Sequence, residues 1–405
     1  MKWTLRKISR CNEQQRGIQY YRPSQIEAFF DDDEPLENIL ISGGSRSLRA
    51  RALTRVLECG RHQGYSAIVI HCRSRELEQR IQSVFGAAST EIINRQNPVY
   101  DPFAGYSNRE IAGLVVSSSE KKNKVNASGL YYMNGISDYI RACGRLPRCY
   151  MFINCPHLTF LDGVSRAERQ GRISPEWARR IVSEIMQGET ERAAIENYFL
   201  ELSRQAGSIL SSRQNYAKAV SLKTAAERQK IAAVDIQTGA NTLLTSLLIQ
   251  EIETMLSQGR RLLVVFDEVS LSSGTALMNF IRTAAGSCSL AVSSSDLFAS
   301  LGGDDRDFFA FAGRSSKIMI SRHIMACSAQ KLSDAIGDYE KQEITASLSS
   351  NTGYGRYAQH GRTRTTSISV KREKIVKPEE IQNMSETEVF LFDKLTGELS
   401  FVPVI

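Results

Sequence analysis

Short, mainly apolar runs alternate along the chain with stretches in which apolar residues recur every three or four positions. The runs at 39–41, 66–71, 261–267, 289–293 and 317–321 are apolar between their ends, as strands covered on both sides require. Helical periodicity follows or precedes them: Leu48, Ala52, Leu53, Val56 and Leu57, then residues 75–85, 242–256, 274–285 and 328–336, the last closing at Gly337. This alternation predicts an α/β fold with a mainly parallel sheet between layers of helices.

Between residues 107 and 235 the helical period continues with little strand signal. Ser107 and Glu110 form a capping box, and helices are expected over 130–141, 175–186 and 191–210. One short strand is expected there, Arg148 to Asn154. The resulting plan is a lead-in (1–36, with a helix over 24–30 after Pro23), a core built from 37–106 and 236–405, and an inserted all-helical domain (107–235) standing off as a separate lobe. Residues 346–374 are polar and basic and read as a solvated loop or a nucleic-acid grip, and 388–404 as a hairpin turning near Thr396 and Gly397.

Composition narrows the class. With 405 residues, 42% hydrophobic and 23% charged, the chain can bury a large core and is not disordered by composition. No apolar run reaches the roughly 18 to 20 residues that span a bilayer, and the first residues lack the apolar core of a signal peptide. The expected location is the cytoplasm. Eight scattered cysteines suit reduced thiols. Cys143, Cys149, Cys155 and His157 do not have zinc-ligand spacing. A net charge of +7 permits a polyanionic partner without requiring one.

The candidate chemistry starts where the first apolar run breaks into Gly43-Gly44-Ser45-Arg46-Ser47-Leu48-Arg49-Ala50. Strand, glycine turn and helix form the layout of a P-loop, whose backbone N–H groups surround phosphate while a lysine reaches the outer phosphates and a hydroxyl holds Mg²⁺. Against that pattern Gly43 is the first glycine, but Leu48 stands for the second, Arg49 for the lysine and Ala50 for the hydroxyl residue. Arginine keeps the charge with a different geometry, and alanine offers a metal no oxygen. Asp267 and Glu268 end the apolar run 261–267, where P-loop ATPases carry a metal-holding acid and a water-orienting one. Nucleotide hydrolysis, binding alone, and a turn that has lost its ligand all stay open.

Together these pieces resemble the FtsK/HerA-like branch of P-loop ATPases, most closely type IV coupling proteins of the TraG/TraD kind. Tyr100-Asp101-Pro102-Phe103 is similar to the family's step into its helical domain, residues 128–139 to the aromatic-bearing helix that opens it, 293–297 to its sensor strand and 328–337 to its late helix. The resemblance implies a RecA-like P-loop NTPase core with ATP and Mg²⁺ as cofactors, Asp267 holding the metal, Glu268 polarising water and loop 43–50 holding the triphosphate. It also implies a ring, as a homo-oligomer or with a related ATPase, that recruits or drives DNA or protein into a conjugative or secretion apparatus. Arg282 would be a trans-acting arginine, and Arg356, Arg362, Arg364, Lys371 and Arg372 would contact DNA. The chain departs from the family in lacking an N-terminal transmembrane pair, so that a partner would have to anchor it peripherally at the inner membrane face, and in lacking the sensor glutamine, for which Ser294 or a neighbour stands. A non-catalytic scaffold, or a DNA translocase for packaging or segregation, are the alternatives.

Overall fold

The computed structural model describes residues 18–20, 25–30, 34–119, 124–154, 159–270, 276–284, 286–351 and 361–403. Pro23, Ser24, the aspartates 31–33, Cys155, His157, Tyr354, Arg356, Tyr357 and His360 lie outside the described residues.

The strands are β1 (Ile18–Tyr20), β2 (Asn38–Ser42), β3 (Ser66–His71), β4 (Thr90–Ile93), β5 (Ile231–Asp235), β6 (Leu262–Asp267), β7 (Ser289–Ser294), β8 (Ser315–Ile320), β9 (Asp338–Asn351), β10 (Gly361–Lys374), β11 (Glu388–Asp393) and β12 (Leu399–Pro403). Ten of them form one sheet in the order β1-β12-β11-β8-β2-β7-β6-β3-β5-β4. From β8 to β4 every pairing is parallel, and β11 and β12 add the antiparallel hairpin expected at the end of the chain.

Both faces of the parallel strands are buried, which explains their apolar runs. Alternate residues feed two cores. Leu40, Ile68, Ile70, Val264, Phe266 and Val292 point to one, while Ile39, Ile41, Val69, Leu263, Val265 and Ala291 point to the other. The second core takes the helices Arg46–His62 and Arg75–Phe85 through Leu53, Val56, Leu57, Leu77 and Ile81.

The first core takes the helical block. Tyr132, Met133, Ile136, Ile181, Phe199 and Leu202 belong to the same hydrophobic cluster as the sheet residues, so the block packs against the core. It is entered and left through one stem: Tyr100 N–H donates to Ile209 O (3.1 Å), Ser211 N–H to Tyr100 O (2.7 Å) and Asp101 N–H to Val220 O (2.8 Å). Beneath the stem, buried Glu251 accepts from the Tyr100 hydroxyl, the Tyr106 hydroxyl (3.2 Å) and the Leu222 N–H (3.0 Å).

Four expectations are corrected. Residues 149–154 form a helix, not a strand; a short apolar run carries no period that separates the two, and Phe152 there stacks on Phe199 with ring centres 5.3 Å apart. Strand Ile231–Asp235, inside the span assigned to helices, lies between β3 and β4. The polar segment 346–374 is mostly a long antiparallel ribbon, β9 with β10, and not a loop. Finally, the lead-in contributes an edge strand, Ile18–Tyr20, parallel to β12.

The candidate functional site

The turn after β2 is short because a helix begins early. Gly43 and Gly44 take positive φ (86° and 77°), conformations open to glycine at little cost, and a Cβ on Gly43 would lie 2.6 Å from His323 Cε1. Ser45 then caps the helix Arg46–His62, its hydroxyl accepting from the Leu48 N–H (3.2 Å). Residues 46–48, which a P-loop pattern would leave in the phosphate cradle, are therefore the first helical turn. Two N–H groups of the turn are already used, Leu48 by Ser45 and Gly43 by Ser294 O (3.0 Å).

A buried polar pin underlies the turn. The Ser42 hydroxyl donates to His323 Nε2 (2.9 Å) and accepts from the Leu297 N–H (3.1 Å), while His323 Nδ1–H donates to Ser321 O (2.8 Å). Burial lowers the His323 pKa, which keeps the ring in the neutral form these bonds need.

The two acids do not lie on a strand adjacent to β2. β7 runs between β2 and β6. The tips nonetheless converge. Arg49, 2% exposed, donates to Gly44 O (2.6 Å) and to Glu268 Oε1, and its Nε lies 3.7 Å from Asp267 Oδ1. Glu268 sits at φ 55°, a strained value for a non-glycine residue. Its N–H donates to Ser293 O (2.9 Å), and its carboxylate accepts from the Ser295 N–H (3.1 Å), the Ser295 hydroxyl (3.3 Å) and the Ser294 hydroxyl (3.4 Å). Ser294, expected in place of a sensor glutamine, thus touches the acid directly.

These residues do not fit a magnesium nucleotide. The guanidinium of Arg49 fills the gap between turn and acids where a metal and phosphate would lie, Leu48 packs within 2.8 Å of where a Cβ on Gly44 would be, and Ala50 has no oxygen to offer. Ser45, Arg46 and Ser47 are exposed at the mouth of the turn.

The remaining candidates are placed elsewhere. Arg282 is bound to buried Asp307, with Nε 2.9 Å from Oδ1, so the arginine expected to act in trans has an internal partner. Lys371 and Arg372 are exposed near the base of the ribbon, and Arg372 is in register with Glu340. Arg362 and Arg364 are placed only by their register in β10, opposite Ser350 and Leu348. Among the described residues no group of three His, Cys, Asp or Glu side chains could hold a metal, and no helix is long and apolar enough to cross a membrane. Sequence reasoning missed Ser42, His323 and Glu251, each of which has its decisive side-chain partner more than 100 residues away.

Comparison with protein-family models gives no match, and comparison with curated proteins gives none either. Solved structures do match. The unbound monoclinic form of the bacterial conjugative coupling protein TrwB superposes with a TM-score of 0.54 at 12% identity, covering 95% of this chain and 92% of that one. The trigonal form in complex with sulphate gives 0.51 at 12% identity over 96% and 92%. The complex of TrwB with the non-hydrolysable ATP analogue ADPNP gives 0.51 at 12% identity over 95% and 92%. From the edge strands through the helical block to the closing hairpin, the chain has the P-loop NTPase fold of the conjugative coupling protein TrwB.

Proposed function

We propose that the chain is a non-hydrolysing, coupling-protein-like subunit: a motor fold that recruits substrate, or organises a related ATPase, for a conjugative or type IV secretion apparatus. The observation that carries this reading is Arg49, whose guanidinium bridges the carbonyl of Gly44 and the carboxylate of Glu268 beside Asp267. A P-loop ATPase keeps that space open for metal and phosphate. Here the cation is part of the chain: it is bonded to Glu268 and lies 3.7 Å from Asp267. The likeness in fold to a conjugative coupling protein supports the choice of apparatus. Assembly into a ring, DNA or protein as cargo, and anchoring to a membrane through a partner belong to the same proposal.

The test is Mg²⁺-ATP binding and hydrolysis by the native chain and by the triple variant Leu48→Gly, Arg49→Lys, Ala50→Thr. The native chain is expected to do neither, and the variant to gain binding. Hydrolysis by the native chain that disappears in Glu268→Gln overturns the proposal.

A further inference from the structure

We propose that the crevice outside the carboxyl ends of β3, β5 and β4 binds a phosphoryl group, at a place separate from the closed turn and independent of the function proposed above. It is a cavity of about 310 Å³ whose lining includes Arg73, Arg75 and Arg95. Arg73 follows β3, Arg75 opens the helix Arg75–Phe85, and Arg95 lies in the turn after β4.

The two acids that share the cavity already have donors. Asp235 Oδ1 accepts from the backbone N–H groups of Arg73 (2.9 Å) and Gln237 (2.8 Å), which holds Arg73 at φ 53°. Glu78 accepts from Asn94 Nδ2 at both oxygens (3.0 and 2.9 Å), and its Oε1 lies 3.4 Å from buried His71 Nε2. His71 Nδ1 accepts from the Ser74 N–H (3.3 Å), so its proton is on Nε2 and faces Glu78.

The three guanidiniums, by contrast, have no hydrogen-bond or ion-pair partner among the described residues. Three arginines against two carboxylates leave the concave wall with an excess of one positive charge, which favours an anion. The arginines lie beside the N-terminus of an 11-residue helix, whose dipole favours an anion as well. Crevices at the carboxyl ends of parallel strands are where open α/β sheets take ligands. Three forked cations match the three terminal oxygens of a phosphoryl group, whereas a carboxylate has two oxygens to share among them.

The experiment is titration calorimetry of the full chain at low salt with inorganic pyrophosphate and, separately, with a 5′-phosphorylated dinucleotide. Pyrophosphate is expected to bind, and each of Arg75→Gln and Arg95→Gln to weaken it about tenfold or more, the effect of losing one charge-assisted hydrogen bond. Arg46→Gln, at the mouth of the closed turn, is expected to leave it unchanged. Tighter binding of the dinucleotide would assign the phosphoryl group to a nucleic-acid backbone, and tighter binding of pyrophosphate to a free phosphate compound; either supports the site. No binding of either probe, native-like binding by both arginine variants, or loss of binding in Arg46→Gln overturns it. Arg95 is exposed in a turn, so its variant tests the site even if Arg75→Gln does not fold.

Discussion

At the scale of single residues, the site turns on which group Arg49 meets. Arg49, Asp267, Glu268 and the two glycines were all legible in the sequence, since a strand, turn and helix followed later by an acid-tipped strand is a local pattern. Their relation was not legible. Arg49 was read as reaching outward to phosphate, and it reaches across to the acids instead, because Ser45 starts the helix early and swings residue 49 under the turn. Arg49→Ala should leave two carboxylates without their cation and cost roughly 3 kcal/mol, toward the lower end for a broken buried pair because Glu268 is partly exposed; a urea midpoint equal to that of the native chain would show that the bridge stabilises nothing. Gly43→Ala should cost about 1 to 3 kcal/mol, since the new Cβ meets His323 in a conformation that disfavours side chains. That effect is checked by thermal unfolding of the variant, and Gly43→Ala in a His323→Ala background should recover part of it.

At the scale of elements, the strands covered on both faces were the easiest to read, because burial on both sides leaves an apolar run without period. The strands that escaped include two instructive kinds. β5 is Ile-Ala-Ala-Val-Asp, and its alanines carry little strand preference. The ribbon of β9 and β10 is rich in serine, threonine and charge, and its strands pair only with one another, so they lack the signature of a buried sheet. The stem of the helical block was invisible for another reason: Tyr100 and Glu251 are polar groups whose burial only the fold reveals. Burial drives the Glu251 pKa up to about 8, against bonds from Tyr100, Leu222 and Tyr106 that lower it. The folded state therefore holds a proton that the unfolded state releases near the ordinary glutamate value. Stability from this group is fully present below that value and is lost as pH rises toward 8, with a slope of about 1.4 kcal/mol per pH unit for one proton. Glu251→Gln should flatten that slope in urea unfolding measured from pH 5 to 8, and a slope unchanged in the variant would place the titration elsewhere.

At the scale of the whole molecule, the likeness to a coupling protein is one of fold over 95% of the chain, while 12% identity leaves little of it in the residues. The α/β class was legible from alternation alone. The packing of the helical block against the sheet core was not, because a helical insertion has the same period whether it stands off or packs down. If the closed turn takes no nucleotide, association of this chain with itself is independent of nucleotide. Molar mass by light scattering should be the same with and without Mg²⁺-ATP, and a nucleotide-dependent change in mass would contradict the closed turn.

The strand that separates the turn from the acids also ties them together. The end of β7 receives the Gly43 N–H at Ser294 O and the Glu268 N–H at Ser293 O, and the next residue, Ser295, returns its own N–H to the Glu268 carboxylate. Turn, spacer and acids are thus fastened at three points and must travel as one mechanical unit. A force applied to either end, by a neighbouring subunit or by cargo, would reach the other without any ligand passing between them.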